Sequence, residues 1–331
     1  MKFTAEKSQI VDSLQNAAAV AERRQTIPIL ANLRLKAISG KLEVTATDLE
    51  IQVKTHSNLL SIEEEGETTV SARKMSELCR SLPDAENVEF SLKDGKLTVS
   101  SKNFHGDFAT ISADDFPELE VNEDQDTTKI PSGALKRILS KTAFSMASQD
   151  VRYYLNGLLL ELSGEELKGV ATDGHRLALS SIEAKGNVLE MRNILPRKAV
   201  LELAKLLSPE DSPIEILVGP TYIGVKTENL SFSSKLIDGK YPDYEKVFPS
   251  GEPRPLLVGK ETLQSALSRA SVLSNEKYRG VRFHLTENKL KLTANNPEQE
   301  SAEEELEVIY KGIELEVGFN IGYLLDVLNS I

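Results

Sequence analysis

The chain has 331 residues, of which 40% are hydrophobic and 27% charged, so its composition is globular and its length exceeds one hydrophobic core. It contains no run of 18 apolar residues and no signal-peptide core, and its single cysteine, Cys79, excludes a disulfide framework. We therefore expect a cytoplasmic protein without a membrane segment. The formal net charge of −12 argues against nucleic-acid binding by the chain as a whole.

Hydrophobic periodicity predicts six helices along the chain. They cover residues 5–24, 73–82, 131–150, 197–207, 259–277 and 319–331. Alternating apolar positions, such as Leu42, Val44 and Ala46, predict half-buried strands between the two helices of each pair. Further strands follow at NVEFSL, KLTVSS and GDFATI, and later at PIEILVG, YIGVKT and LSFSSKL. This order predicts an α+β fold with helices on one face of antiparallel sheets.

One sequence pattern occurs three times. It is found as NLRLKAISGKLEVTATD (32–48), NGLLLELSGEELKGVATD (156–173) and GVRFHLTENKLKLTANN (280–296). Ala46, Ala171 and Ala294 are separated by 125 and 123 residues, which is about one ordinary domain. Three tandem copies of one fold form an arc, and an arc that dimerises head to tail can close into a six-domain ring.

Shifts in composition place the boundaries between the copies. An acidic linker (120–128) and a segment rich in Pro and Gly (248–255) give domains at 1–125, 126–249 and 250–331. The third domain is the shortest, and its second helix runs to Ile331. We therefore expect the third copy to be incomplete and to lack its last strands.

Charge is unevenly distributed between the helices and the remainder. The six predicted helices together carry +6, so the rest of the chain carries −18. Basic helices on an acidic body suit a protein whose helices face a polyanion. A chance excess of Lys and Arg on the helices is the alternative.

The segment VATDGHR (170–176) has the residue types of a catalytic site but not the necessary pattern. The four histidines are scattered, and no nucleophile elbow, Walker motif or metal-ligand spacing is present. The first repeat has TDLE at the same place, which favours a shared structural turn. We predict no catalytic site, no metal and no cofactor.

Four other segments have the chemistry of binding surfaces. Arg152, Tyr153 and Tyr154 in SQDVRYYLNG can contact phosphates or stack on bases, although packing at a domain seam is equally compatible. Basic pairs begin two helices, at Arg73-Lys74 and Arg197-Lys198, where the helix dipole disfavours cations, so we favour phosphate contact. The acidic run 295–307 predicts either a charge-protected edge strand or an edge that pairs with a basic edge of another subunit.

The combination of VRYYLNG, ATDGHRLA, YPDY, LSNEKYRGVR, LTANNPEQE and the ending FN-x-x-Y-LLDVLN closely resembles the β subunit of bacterial replicative DNA polymerase, the sliding clamp family. The resemblance extends over the whole chain. It implies a homodimeric ring that encircles duplex DNA without sequence specificity and tethers the polymerase, and that has no enzymatic activity. It also implies a clamp loader and other partners that carry a clamp-binding motif, among them repair polymerases, mismatch-repair proteins and ligase.

The resemblance assigns three groups of residues. Positions that match the family's DNA contacts are Arg24, Arg73, Gln149, Tyr153, Tyr154, Arg176, Arg197 and Lys198. Positions that match its partner-peptide pocket are Leu155, Thr172, Gly174, His175, Arg176, Leu177, Pro242, Lys246, Val247, Asn320 and Tyr323, with Lys246 where the family usually has Arg. Positions that match its dimer interface are Lys74, Lys96, Phe108, Ile111, Val272, Leu273, Glu298, Glu300, Glu303 and Glu304.

Two alternative functions remain at this stage. One is a truncated clamp fragment that dimerises but is impaired in partner recruitment. The other is an enzyme that uses Asp173 and His175, which the absence of supporting catalytic groups in the sequence disfavours.

Overall fold

The structure is a computed structural model and describes residues 1–21, 27–83, 86–119, 126–184, 189–251 and 254–331. The chain divides into two compact units, Met1–Lys240 and Tyr241–Ile331. The first unit contains the first two sequence repeats. No helix in the described part of the chain is long and apolar enough to cross a membrane.

In its described residues, the first repeat combines two α-helices with nine strands. Helix α1 (Lys7–Ala18) buries Ile10, Leu14 and Ala17, which recur at helical spacing and form the face that packs against the sheet. Helix α2 (Ala72–Ser81) begins after Ser71, whose hydroxyl accepts a hydrogen bond from the backbone N–H of Lys74. The strands are β1 (Lys2–Glu6), β2 (Asn32–Ile38), β3 (Lys41–Thr47), β4 (Ile51–Asn58), β5 (Ser61–Glu64), β6 (Gly66–Ser71), β7 (Asn87–Lys93), β8 (Lys96–Ser101) and β9 (Phe104–Ile111).

The second repeat follows the same plan. Its helices are α3 (Ser132–Thr142) and α4 (Arg197–Leu206). Its strands are β10 (Asp126–Pro131), β11 (Gly157–Ser163), β12 (Glu166–Thr172), β13 (Leu177–Glu183), β14 (Met191–Pro196), β15 (Pro213–Val218), β16 (Tyr222–Lys226) and β17 (Leu230–Lys235). Helix α3 lies close to β12, since a Cβ at Gly169 would be 2.3 Å from Cγ2 of Ile138. Glycine at this position permits that approach.

Backbone pairing joins the first two repeats. Strand β17 pairs antiparallel with β4, from Leu230 opposite Thr55 to Ser234 opposite Ile51. Over the part of the chain that the structure describes, the result is a thirteen-stranded sheet in the order β10-β15-β16-β17-β4-β3-β2-β6-β9-β8-β7-β1-β5 and a four-stranded sheet in the order β13-β12-β11-β14. Buried side chains of both repeats form one continuous core, so the two repeats are fixed to each other.

The second unit has its own sheet and core. Helices α5 (Lys260–Val272) and α6 (Ile321–Ser330) contact each other. The sheet runs in the order β20-β19-β18-β21, and its strands are β18 (Gly280–Thr286), β19 (Lys289–Asn295), β20 (Ser301–Glu307) and β21 (Leu315–Asn320). Leu267, Leu292 and Ile321 are buried in a core that connects the helices with the sheet.

The predicted α+β class and all six predicted helices are confirmed, but several helices are shorter than expected. Helix α3 ends at Thr142, whose hydroxyl donates to the carbonyl of Ile138, and a short 3-10 helix follows. Strands β1 and β10 were not predicted from the sequence. Each has only five or six residues, and its position is fixed by pairing with β7 or β15 from a distant part of the chain.

Candidate nucleic-acid and partner interfaces

In all three copies, the residue that ends the repeated segment accepts backbone N–H groups through its side-chain oxygen. The Oδ1 atom of Asp48 accepts the N–H groups of Glu50 (2.9 Å) and Ile51 (2.7 Å). Similarly, Oδ1 of Asp173 accepts the N–H groups two and three residues later, at 2.9 and 3.0 Å. In the third copy, Oδ1 of Asn296 accepts the N–H of Glu300 at 2.9 Å. The structural turn predicted for Asp173 and Gly174 is thereby confirmed, since its carboxylate is occupied in holding the backbone.

The two basic pairs both lie at helix starts but differ in their contacts. Arg73 is 62% exposed in its side chain, with Glu77 at 3.4 Å. Arg197 instead donates from Nη1 to the carbonyl of Met146 at 3.0 Å. Of these two arginines, Arg73 therefore has the more accessible guanidinium.

Lys198 connects the two repeats of the first unit. Its Nζ lies 2.5 Å from Oδ2 of Asp48, a carboxylate that is only 6% exposed and 150 positions away in the sequence. Oδ1 of Asp48 thus accepts hydrogen bonds within its own turn, and Oδ2 binds Lys198 of the second repeat. Sequence reasoning missed this role of Asp48. The only available signal was its equivalence with Asp173 in the repeat.

The loop after α3 presents the predicted tyrosines. Gln149 has a left-handed backbone (φ 59°), and Tyr153 is 57% exposed with its ring 5.8 Å from that of Tyr154 in an edge-to-face arrangement. Arg152 binds Asp150 through two hydrogen bonds of 3.0 and 2.9 Å. Hydrogen bonds from Arg152 lower the pKa of Asp150 to about 2, so this pair stays charged at neutral pH. Arg24, which was predicted to contact DNA, lies outside the described residues.

The predicted pocket residues of the first unit converge around the Asp173 turn. Thr172 donates its hydroxyl to the carbonyl of Arg176 at 2.6 Å, and Gly174 adopts a left-handed φ of 88°. Arg176 binds Asp173 (3.1 Å) and donates to the carbonyl of Phe144 (2.6 Å). His175 is exposed, Leu177 is half-buried, and Leu155 is buried. These contacts hold Arg176 in place, so they support a structural role for it as well as a binding role.

The predicted pocket residues of the second unit occur in two places. Pro242, Lys246 and Val247 lie in or just before a 3-10 helix at Tyr244–Val247, where Val247 is 64% exposed. Lys246 pairs with Asp243 at 2.6 Å, and this contact raises the pKa of the lysine. Asn320 caps α6 by accepting the N–H of Tyr323 at 3.3 Å.

Two strand edges carry the predicted dimer residues. In β9, which contains Phe108, only Thr110 and Ile111 pair with β6, at Val70 and Thr69. Within the described residues, the remainder of that edge has no strand partner. Lys96 begins the adjacent strand β8, and Lys74 lies in α2.

Strand β20 is likewise an edge strand and pairs only with β19 in the described sheet. Glu303 and Glu304 lie on this strand, whereas Glu298 and Glu300 precede it. Val272, 77% exposed, ends α5, and Leu273 is half-buried behind it.

Three acidic side chains of β20 already have cationic partners in the same unit. Arg269 binds Glu304 through two hydrogen bonds of 2.6 and 2.9 Å. Glu303 pairs with Lys291 at 2.9 Å, and Glu305 pairs with Lys289 at 2.8 Å. Sequence reasoning missed Arg269, although its position on α5 in a basic helix segment was visible.

These observations describe a protein built from repeated helix-and-sheet domains, with exposed basic and aromatic side chains and two incompletely paired strand edges. Among the residues that the structure describes, no cluster of three or more His, Cys, Asp or Glu could hold a metal ion. The chain belongs to the DNA polymerase III beta subunit family, whose N-terminal, central and C-terminal domain models match residues 1–120, 129–243 and 245–331.

Relatives of known identity agree with this assignment. The chain is 44% identical over 331 residues to the beta sliding clamp of Escherichia coli K12, covering 100% of this chain and 90% of the relative. It is also 44% identical to the beta sliding clamp of Pseudomonas aeruginosa PAO1. A crystal structure of the DNA polymerase III subunit beta from P. aeruginosa superimposes with a TM-score of 0.95, at 44% identity, and covers 100% of this chain and 90% of that chain. The protein functions as a DNA sliding clamp and is a processivity factor rather than an enzyme.

The comparisons also correct one expectation. The C-terminal domain model matches through residue 331, so an incomplete third copy is not supported, and neither is the alternative of an impaired fragment. The domain boundaries at 125 and 249 remain predictions.

Proposed function

We propose that two copies of this chain pair head to tail into a ring of six domains that encircles duplex DNA and tethers the replicative polymerase. The observation that carries this proposal is the presence of two incompletely paired strand edges, β9 in the first repeat and β20 in the second unit. A head-to-tail contact between such edges joins different surfaces of the two copies and closes when the rotation is complete.

The seam between the first two repeats provides an internal precedent for this contact. There, β17 and β4 join two repeats by antiparallel backbone pairing. We infer that β9 and β20 pair in the same way across subunits, with Phe108 and Ile111 against Val272 and Leu273 of the other copy.

Backbone and apolar contacts then provide most of the binding energy at this edge. Glu303 and Glu304 have cationic partners within their own unit, so Lys74 and Lys96 are left to meet Glu298 and Glu300. Exposed charge pairs of this kind contribute mainly to register and association rate.

We propose that DNA is held by few and weak contacts. Arg73, Gln149, Tyr153 and Tyr154 are accessible, and Arg24 is included from the family resemblance. Arg176, Arg197 and Lys198 already bind groups of the protein, so we assign them a smaller contribution to DNA binding. Sliding requires sequence-blind phosphate contacts without a deep local minimum, and a closed ring supplies the residence time.

The Asp173 turn and Leu155 are proposed to form one wall of the site for partner peptides, with Pro242, Lys246 and Val247, and Asn320 and Tyr323, as further parts. The partners proposed for this site are the replicative polymerase, the clamp loader, repair polymerases, mismatch-repair proteins and ligase. We propose the cytoplasm as the compartment in which the protein acts, as expected from the sequence.

Loading onto circular DNA tests the ring. The chain is loaded by a clamp loader onto nicked circular DNA, and the DNA is then linearised. A ring remains bound to circular DNA and slides off the linear molecule. A protein held by local affinity is retained equally on circular and on linear DNA. Light scattering is expected to give twice the chain mass of 36.5 kDa, and Phe108→Asp is expected to give the single-chain mass with an unchanged circular dichroism spectrum.

A further inference from the structure

The loop between α5 and β18 occupies the same place in the third repeat as the loop that carries Tyr153 and Tyr154 in the second. Both connect the first helix of a repeat to its first central strand, α3 to β11 and α5 to β18. In the third repeat this loop contains Lys277, Tyr278 and Arg279, and Arg282 follows in β18. We propose that the segment 277–282, here called the α5–β18 loop, is a further contact site for the phosphate backbone of duplex DNA. This inference rests on the proposed ring around DNA.

The loop concentrates positive charge in an acidic unit. Residues 241–331 contain fifteen acidic and ten basic residues, and three of the ten basic residues lie within the α5–β18 loop. Lys277, Tyr278, Arg279 and Arg282 are all exposed, with Tyr278 at 67%. A surface of this composition attracts a polyanion even when the surrounding unit repels one.

The cations of the loop differ from those of the neighbouring sheet. Lys289 and Lys291 on β19 each pair with a glutamate of β20. Lys277 and Arg279 have no carboxylate within ion-pair distance among the described residues, and Arg282 lies 3.5 Å from Glu316. Binding a phosphate through Lys277 and Arg279 therefore requires no ion pair to be broken first.

The backbone of the loop is held rigidly on both sides. The Oδ1 atom of Asn275 accepts the N–H groups of Lys277 and Tyr278, both at 2.9 Å, and its carbonyl accepts the N–H of Arg279 at 2.8 Å. On the other side, the carbonyl of Arg279 accepts the N–H of Ile321 at 2.8 Å. A preorganised loop loses little conformational entropy when it binds.

The exposed tyrosine adds a second kind of contact. Nζ of Lys277 lies 5.3 Å from the centre of the Tyr278 ring, so the aromatic face and the cation form one surface. Tyr153 provides a similar exposed ring in the second repeat. Such pairs bind nucleic acid without reading its sequence, because the ring and the cation contact features common to all nucleotides.

The test measures the salt dependence of binding to a fluorescent 30-base-pair duplex by the full chain. The variant Lys277→Ala/Arg279→Ala is compared with the control Arg254→Ala/Lys311→Ala, which has the same charge change at exposed residues of the same unit. If both cations contact phosphates, the slope of log K against log salt falls by about 1.8 in the first variant only, and affinity at low salt falls at least about fivefold. Thermal melts establish that both variants are folded.

Three results separate the possible failures. Equal effects in both variants, or none in either, overturn the α5–β18 loop as a DNA contact. Unchanged DNA binding with weaker binding of a clamp-motif peptide assigns the loop to protein partners and also overturns the inference. If the unaltered chain neither binds duplex nor remains on circular DNA, the proposed ring function itself fails.

Discussion

Lys198 and Asp48 provide the sharpest test of how the first two repeats are held together. We expect Lys198→Met to destabilise the first unit, because it removes the cation from a carboxylate that is 6% exposed. Methionine keeps the aliphatic stem, so packing changes little. Asp48→Asn is the matched change, since its Oδ1 still accepts the N–H groups of Glu50 and Ile51 and only the contact with Lys198 is lost.

The expected coupling follows from the surroundings of the two groups. A charge-assisted hydrogen bond to a buried acceptor contributes about 1.5–3 kcal/mol, whereas an exposed pair contributes about 0.2–1 kcal/mol. Lys198 is 37% exposed while Asp48 is buried, so solvent screening reduces the larger value. We expect an interaction energy of about 1–2 kcal/mol from the double-mutant cycle.

Urea denaturation followed by far-ultraviolet circular dichroism measures this energy, since the chain has no tryptophan. The two single variants and the double variant are compared with the unaltered chain. Additivity within about 0.3 kcal/mol would show that the two groups do not interact in solution. If Lys198→Met instead weakens duplex binding as much as Arg73→Ala does, Lys198 acts as a phosphate contact.

Three further predictions concern the edge strand, the cysteine and the helix–sheet contact. Arg269→Ala removes both hydrogen bonds to Glu304 and so leaves this carboxylate of the β20 edge without that partner. We expect the dimer dissociation constant, measured by sedimentation, to rise about three- to tenfold. An unchanged constant would refute a role of Arg269 at the dimer edge. Burial raises the pKa of Cys79 from 9.0 to about 12, so the folded thiol stays protonated and resists iodoacetamide at pH 8. The thiol ionises at lower pH in the unfolded chain than in the folded chain, so the contribution of Cys79 to the free energy of unfolding is complete below pH 9 and is lost as the pH rises towards 12. Cys79→Ala is expected to abolish this loss. Gly169→Ala places a methyl group against Ile138 and should lower the free energy of unfolding by about 1–3 kcal/mol, whereas a neutral effect would show that α3 can shift.

Periodicity predicted the helices and the central strands correctly because their signals are local. Ile10, Leu14 and Ala17 recur on one helical face, and that face is buried. The short strands β1 and β10 lacked such a signal, since five or six residues gain their conformation from the strands with which they pair. The length of α3 was overestimated because the helix ends at Thr142, whose hydroxyl donates to the carbonyl of Ile138, and a short 3-10 helix follows.

The sequence by itself determined the threefold repeat, the α+β class and the location of the Asp173 turn, because each depends on residues close together in the chain. Only the tertiary structure decided which cations are accessible. Arg73 and Arg197 begin equivalent helices, yet one is exposed and the other donates to a carbonyl 51 positions away. Lys198 contacts Asp48, which lies 150 positions earlier in the sequence, and no local pattern predicts that contact. It arises because β17 pairs with β4 and brings the two repeats together.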